Sequence, residues 1–534
     1  LKSLIAITAL CFSLATPVFA QEEERGGFLQ TQLEDSLSGE GRIVRITGFK
    51  GALSSVATME KLTIADSDGI WLIVEGASLN WERAALLRGR VIVREMTADR
   101  IEVVRKPLAV PSEAPAAEAT EFSLPELPVS IDIKNVSVPE VVLGKDIVGR
   151  ALELSLDASA NLEGGSGRAT FSAVRTDEAN GEFTFSGGYA RDTQALDVEF
   201  DFSEDAGGIV AQLLKIPDTP ALEASITGHG PLADFTADFF LASAGEKNIE
   251  GSVELIQTPF GVVGSEGATP QKSQGFKLKL GGDVTALFAP EYRSFFGPDL
   301  SLNLEGAREP SGALDLESFS LQAQTIDLKG GARLSPEMWP TLLNIKGNVK
   351  TKDGTPVLLP LSGSKTLVDS LNLNLSYDAH KGSGWQGSLG LVNLVRDEVE
   401  LASARLSMAG EFESKVHKVT GVNANVSFAT EGLVLADPAL SQALGTTLKG
   451  RAYVAYKPQT PLDVHNVSVE GKGVAFSGDF DIGGLSDGLP TDLKAALTVD
   501  DLSQFAALAK QPIAGEQTCP FRAVSKLFQV FLTS

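Results

Sequence analysis

Apolar and polar residues take turns along segment after segment of this chain, and that alternation restricts its fold more than any other feature. Leu152, Leu154, Leu156, Ala158 and Ala160 alternate with Glu153, Ser155, Asp157 and Ser159. Leu196, Val198, Phe200 and Phe202 alternate with Asp197, Glu199 and Asp201. Leu371, Leu373, Leu375 and Tyr377 do the same with Asn372, Asn374 and Ser376, and Val422, Ala424, Val426 and Phe428 with Asn423, Asn425 and Ser427. Further runs start at Phe276, Phe319 and Val467. Successive side chains of a strand point to opposite faces, so each run predicts a strand with one oily and one wet face. Gly, Asn, Asp and Pro cluster between the runs, as turns require. Some 400 residues at roughly 14–16 per strand and turn give about 25–30 strands. The expected fold is mainly β, with antiparallel or mixed strand pairing and a few short helices.

Helical periodicity survives in a few places. Arg25 to Leu37 puts Phe28, Leu29, Leu33 and Leu37 on one face, with Gly39 and Gly41 beyond. Asp283 to Phe288 leads through Pro290 to Arg293–Gly297, and Asp501 to Leu508 is a similar piece. Each follows an alternating strand, as one slot of a degenerate repeat would. Residues 106–128, with Pro107, Pro111, Pro115, Pro125 and Pro128, read as an extended, exposed linker. Lys2, an apolar run from Leu4 to Ala15, and Val18-Phe19-Ala20 give residues 1–20 the layout of a signal peptide, with an uncleaved anchor as the second choice. The organisation expected is therefore this leader, an amphipathic helix over 21–37, a β module over 38–105, the linker, a repetitive β region over 129–515 and an atypical tail over 516–534. The tail has no Asp, Glu or Gly from Cys519 on. It reads either as an amphipathic helix or, in preference, as a truncated or out-of-frame end.

An oily sheet face must be covered, because large apolar patches are not left in water. Few helices are available to cover it. Two sheets can pack face to face, or one sheet can curl so that its oily face lines a groove. Periodicity alone favours the packed core. A groove would suit acyl chains: each CH₂ costs about 0.8 kcal/mol in water, so a 16-carbon chain costs about 12 kcal/mol unless sheltered. The groove candidates are Leu152, Leu154, Leu156, Leu196, Val198, Phe200, Phe202, Leu371, Leu373, Leu375, Val422, Val426 and Phe428.

Composition excludes several functions. A net charge of −24 repels phosphate backbones and argues against nucleic-acid binding. The two cysteines, Cys11 and Cys519, leave the body without a disulfide framework, a cysteine–zinc site or a thiol nucleophile. Gly382-Ser383-Gly384-Trp385-Gln386-Gly387 matches a dinucleotide fingerprint, but a strand-like Ser388–Leu394 follows where a helix is required, so it reads as a hairpin turn. Histidines 229, 380, 417 and 465 are too scattered for a local metal pair. No catalytic, metal or cofactor constellation stands out, and an enzyme is not expected.

Several stretches, in order, resemble the TamB family of the AsmA-like group. Asp68-Gly69-Ile70-Trp71-Leu72 precedes Leu79-Asn80-Trp81, then Leu86-Leu87-Arg88-Gly89-Arg90-Val91 and Ile101–Pro107. Leu124–Val129, Gly228–Phe235 and Asp283–Gly297 add to the likeness, which covers about residues 25–515. The resemblance implies a long, curled, groove-like sheet in the periplasm of a Gram-negative bacterium, associated with the inner membrane through its N-terminus. It implies phospholipids as cargo moving between the inner and outer membranes. The alternative it implies is help with outer-membrane protein insertion or autotransporter secretion beside a TamA-like barrel. It brings no catalytic residues and no cofactor. Members are usually longer and end in a β domain that is not found here.

Overall fold

The computed structural model describes residues 22–39, 41–51, 54–108, 124–177, 179–260, 271–361, 363–415, 418–458, 460, 462–482, 491–509, 512, 514–515 and 517–524. Residues 1–20, most of the linker and the last ten residues lie outside the described set. The chain divides into two compact units, Leu1–Thr258 and Pro259–Ser534, a boundary inside the stretch that reads in sequence as one repetitive region.

Unit 1 begins with helix α1 (Glu22–Leu37) and the strands β1 (Ile43–Thr47), β2 (Val56–Asp66) and β3 (Gly69–Trp81). Helix α2 (Arg83–Leu86), β4 (Arg90–Thr97), β5 (Arg100–Val103), β6 (Ser130–Leu143) and helix α3 (Lys145–Val148) follow. Then come β7 (Leu152–Glu163), β8 (Ser166–Arg175), β9 (Gly181–Ala190) and β10 (Ala195–Glu204). Helix α4 (Ile209–Leu213), β11 (Leu222–Pro231), β12 (Asp234–Ser243) and β13 (Glu246–Phe260) complete it. The strands form a long sheet in which β1, β2 and β3 pair in turn, and β4 and β5 share the far edge of β3. Both β4 and β5 run parallel to β6, which makes the sheet mixed; from β6 to β13 each strand pairs antiparallel with the next.

Unit 2 is built the same way. It holds β14 (Gln271–Gly282), the 3₁₀ turns Thr285–Leu287 and Pro290–Tyr292, helix α5 (Arg293–Phe296), β15 (Leu300–Arg308), β16 (Leu314–Gln322), β17 (Ile326–Leu334) and β18 (Pro340–Lys350). A small hairpin, β19 (Val357–Leu359) with β20 (Thr366–Val368), precedes β21 (Ser370–Asp378), β22 (Gly384–Arg396), β23 (Val399–Lys415), β24 (Lys418–Glu431) and β25 (Val434–Leu435). Helix α6 (Pro438–Leu444), β26 (Thr447–Tyr456), β27 (Leu462–Gly471), β28 (Val474–Ile482) and β29 (Thr491–Val499) come next. The 3₁₀ turn Leu502–Phe505, helix α7 (Ala506–Ala509) and β30 (Gln517–Val524) finish it. All long strands pair antiparallel, with β18 passing to β21 and β24 to β26 around the inserts. The fold is thus mainly β, with few short helices. Gln517–Val524 is a strand on β29, so the β pattern runs further into the tail than alternation suggests.

The short inserts follow a rule. Helix α3 follows β6, and α4 follows the next four strands, β7–β10. After β11–β14 come the turns and α5; after β15–β18 the β19–β20 hairpin; after β21–β24, with two-residue β25, α6; after β26–β29 the Leu502–Ala509 piece. Four antiparallel crossings restore the starting direction, so within each unit these inserts leave the sheet at the same margin. The two helical pieces legible in sequence do occupy one slot. Acidic side chains open most of these inserts. Thr285 donates from N and Oγ1 to Asp283 Oδ1, at 2.9 and 2.5 Å. Thr355 repeats the turn on Asp353 and Ser503 on Asp501. Glu204, buried, accepts from Val210 N and Ala211 N, and Asp437 caps α6 through Ala439 N and Leu440 N. In unit 2 the inserts seal the margin of the oily face: Phe295 packs with Val349, Val357 and Val368, against Ile326, Leu371 and Leu391.

Candidate functional site

Register converts the separate alternating runs into continuous rows. In unit 1 one oily row crosses seven strands as Ala158, Phe171, Phe185, Phe200, Ile226, Phe239 and Gly251. The next row inward from the insert margin is Ala160, Ala169, Gly187, Val198, Gly228, Ala237 and Val253. Beyond it stand Leu162, Tyr189, Leu196 and Phe235. The middle row carries mostly small side chains over about 29 Å and six strand steps, beside a row rich in Phe and another in which Gly167 and Gly230 alternate with large residues. Two rings reach into the middle row: a methyl group at Gly187 would meet Phe185 Cζ at 2.6 Å, and one at Gly228 would meet Phe235 Cζ at 2.6 Å. Phe183 ties the Phe row together, edge-on to Phe171 at 5.4 Å and to Phe200 at 5.1 Å.

In unit 2 the rows are Leu373, Leu389, Leu406, Phe428, Gly450 and Val469, and beside them Leu375, Gly387, Met408, Val426 and Ala452. Long side chains meet over intervening strands on this face. Tyr377 of β21 and Phe412 of β23 lie 4.4 Å apart, Trp339 reaches Phe412 at 6.4 Å, and Trp385 Nε1 donates to Asn423 O at 3.0 Å.

The degree of burial separates a packed core from a groove. Phe171, Phe185, Phe200, Phe202, Ile226, Leu373, Leu375, Leu406, Val426 and Phe428 are all only half-buried. Inward residues of two sheets packed face to face would be sealed. The strands of each unit belong to a single sheet, and the insert helices that could lie over its oily face are short. The wet face is hollow in its own way. A cleft of about 1340 Å³ in unit 2 runs beside Asn374, Ser388, Ser407, Ser427, Arg451 and Ser468, one polar row across six strands. A twisted sheet is saddle-shaped, hollow across the strands on one side and along them on the other. Met408, Val426, Tyr453 and Val467 line the cleft as well, so its surface is mixed in polarity.

All thirteen candidates from the sequence fall on oily faces, within the unit that carries them. Leu156 and Phe202 share a row through Ala173 and Phe183, and Leu373 and Phe428 share one through Leu389 and Leu406. Leu154, Leu196, Val198, Phe200, Leu371, Leu375, Val422 and Val426 are half-buried like them. Leu152 differs: it is buried at the insert margin, and its neighbours Leu154 and Leu156 pack on the Ala98, Val138 and Val141 cluster. Phe171, Phe183 and Phe185 escaped notice although Phe183-Thr184-Phe185 alternates in sequence; the small-residue row could not be seen without register. The fingerprint-like glycines fall at a hairpin, with Gly387 inside β22. No group of His, Cys, Asp or Glu able to hold a metal occurs among the described residues, and no described helix is long and apolar enough to cross a membrane.

Comparison with family models, with curated proteins and with solved structures finds no match to this chain.

Proposed function

We propose that this is a TamB-like envelope protein whose oily strand faces shelter phospholipid acyl chains on their way between inner and outer membranes. The observation that carries the reading is the half-burial of whole rows of Phe, Leu and Ile on sheets with few helices to cover them. Such rows need a cover, and a 16-carbon chain gains about 12 kcal/mol from one. The row from Phe171 to Phe239 offers apolar surface to such a chain, and the wet face keeps Asp157, Asp197, Glu199 and Asp201 in solvent. Localisation between the membranes belongs to the same proposal, as do phospholipids as cargo.

Native mass spectrometry of the purified chain tests it. Phospholipid should co-purify. Val198→Asp puts a carboxylate on the oily face and should remove most of that lipid, whereas Glu199→Gln on the wet face should leave it. A lipid-free wild type, or a Val198→Asp variant with undiminished lipid, overturns the reading. Crosslinking that captures β-barrel clients instead of lipid would move the assignment to outer-membrane protein assembly.

A further inference from the structure

Unit 1 is closed at one end by its own N-terminal helix. Among the described residues strand β1 has β2 as its only strand neighbour, so its outer edge would present bare backbone groups. Side chains of α1 and of the residue after it satisfy them. Gln30 Nε2 donates to Ile46 O at 2.7 Å, Ile46 N donates to Glu34 Oε1 at 2.7 Å, and Val44 N donates to Ser38 Oγ at 2.9 Å. Residues 30, 34 and 38 recur every four positions, one stripe of a helix, and they meet alternate residues of the strand. The stripe stands in for a neighbouring strand. Glu34 also pairs with Arg45 at 3.6 Å.

The same contact covers oily surface. Ile46 lies in the row Leu62, Val74, Ile101, Val141, Leu154, and Val44 in the row Ile64, Leu72, Val103, Leu143, Leu152. Val44 and Ile46 are each 2% exposed, whereas Phe171, Phe185 and Phe200 on the same face are half-buried. Val44 and Ile46 are sealed where α1 lies, Val141 and Leu152 are buried further along the same rows, and Phe171, Phe185 and Phe200 beyond them are open. Three side-chain hydrogen bonds and one part-exposed ion pair hold that seal, a far smaller hold than the strand ladder beside it.

We propose that α1 is a latch on the end of the groove, and that its release admits an acyl chain over Val44 and Ile46. The proposal rests on the groove reading above. The test uses the full chain with Cys11 and Cys519 changed to Ser. A Gln30→Ala/Glu34→Ala/Ser38→Ala variant frees the helix; Gln30→Cys/Thr47→Cys bridged by a short bismaleimide holds it shut. Amide exchange in β7–β10, unchanged from wild type, guards against a folding defect in the triple variant. The readouts are amide exchange at Val44 and Ile46, and uptake of pyrene-labelled phosphatidylethanolamine from phosphatidylcholine vesicles. Exchange should rise about tenfold in the freed form. Uptake should rise about threefold there and fall about threefold in the bridged form. Equal uptake by freed, bridged and wild-type protein, with exchange altered as expected, overturns the latch and leaves the groove standing. No uptake by any form overturns the groove and the latch together.

Discussion

Asp66 shows how much one carboxylate can organise. Its side chain is 3% exposed at the β2–β3 turn, where it accepts from both terminal nitrogens of Arg105, from Leu108 N and from Asp68 N. Arg105 also donates to Gly69 O, so the pair fastens the start of the proline-rich linker to the sheet. The Arg105 guanidinium, and after it the Leu108 amide, hold the Asp66 carboxyl far below the usual carboxylate range. A carboxyl with a lowered folded pKa stabilises fully above its unfolded value of about 3.9, and that contribution fades as pH falls towards the folded value. Asp66→Asn should therefore unfold unit 1 more readily than wild type at pH 7, and the difference should narrow below about pH 4. Proteolysis of the linker at neutral pH should quicken several-fold in the variant; unchanged cleavage would refute the fastening role. Nothing in the spacing of Asp66 and Arg105 announces this pair, because it depends on the β2–β3 turn meeting the end of β5.

At the scale of elements, the inserts do more than link strands. Phe295 is 7% exposed within the cluster that joins α5 to the β19–β20 hairpin, and Phe296 stacks on Phe288 at 3.9 Å. Phe295→Ala should cost unit 2 about 3–5 kcal/mol. Denaturant melting measures that loss, and amide exchange should quicken first in Val357–Leu359 and Thr366–Val368. Strands were the most legible part of the sequence, since a period of two survives in any register: β7, β10, β21 and β24 could be read directly. The pieces at Asp283–Gly297 and Asp501–Leu508 were legible because Asp starts and Pro or Gly stops mark them. Helices α3, α4 and α6 were not, being four to seven residues long and too short for a 3.6-residue period to declare itself. Whether the oily faces pack or stay open could not be read either, since that is a property of what lies opposite them.

Across the whole molecule, nearly every strand pairs with its sequence neighbour, so stability is a sum of local terms. Leu222, fully buried where β11 begins, illustrates the consequence. Leu222→Ala should cost about 2–5 kcal/mol, and the resulting loss of exchange protection should concentrate in β10–β12 while that of unit 2 keeps its wild-type pattern. Uniform loss through both units would contradict a neighbour-by-neighbour array. The four-strand interval between inserts carries a different consequence. Because an even number of crossings returns the chain to its starting margin, copying or deleting one such block in frame within a unit would lengthen or shorten that unit's sheet by about 19 Å and keep its inserts on one margin. Any odd number would put the next insert on the wrong margin. The chain thus has a built-in ruler, graduated in steps of four strands, along which its reach could be reset without redesigning a single turn.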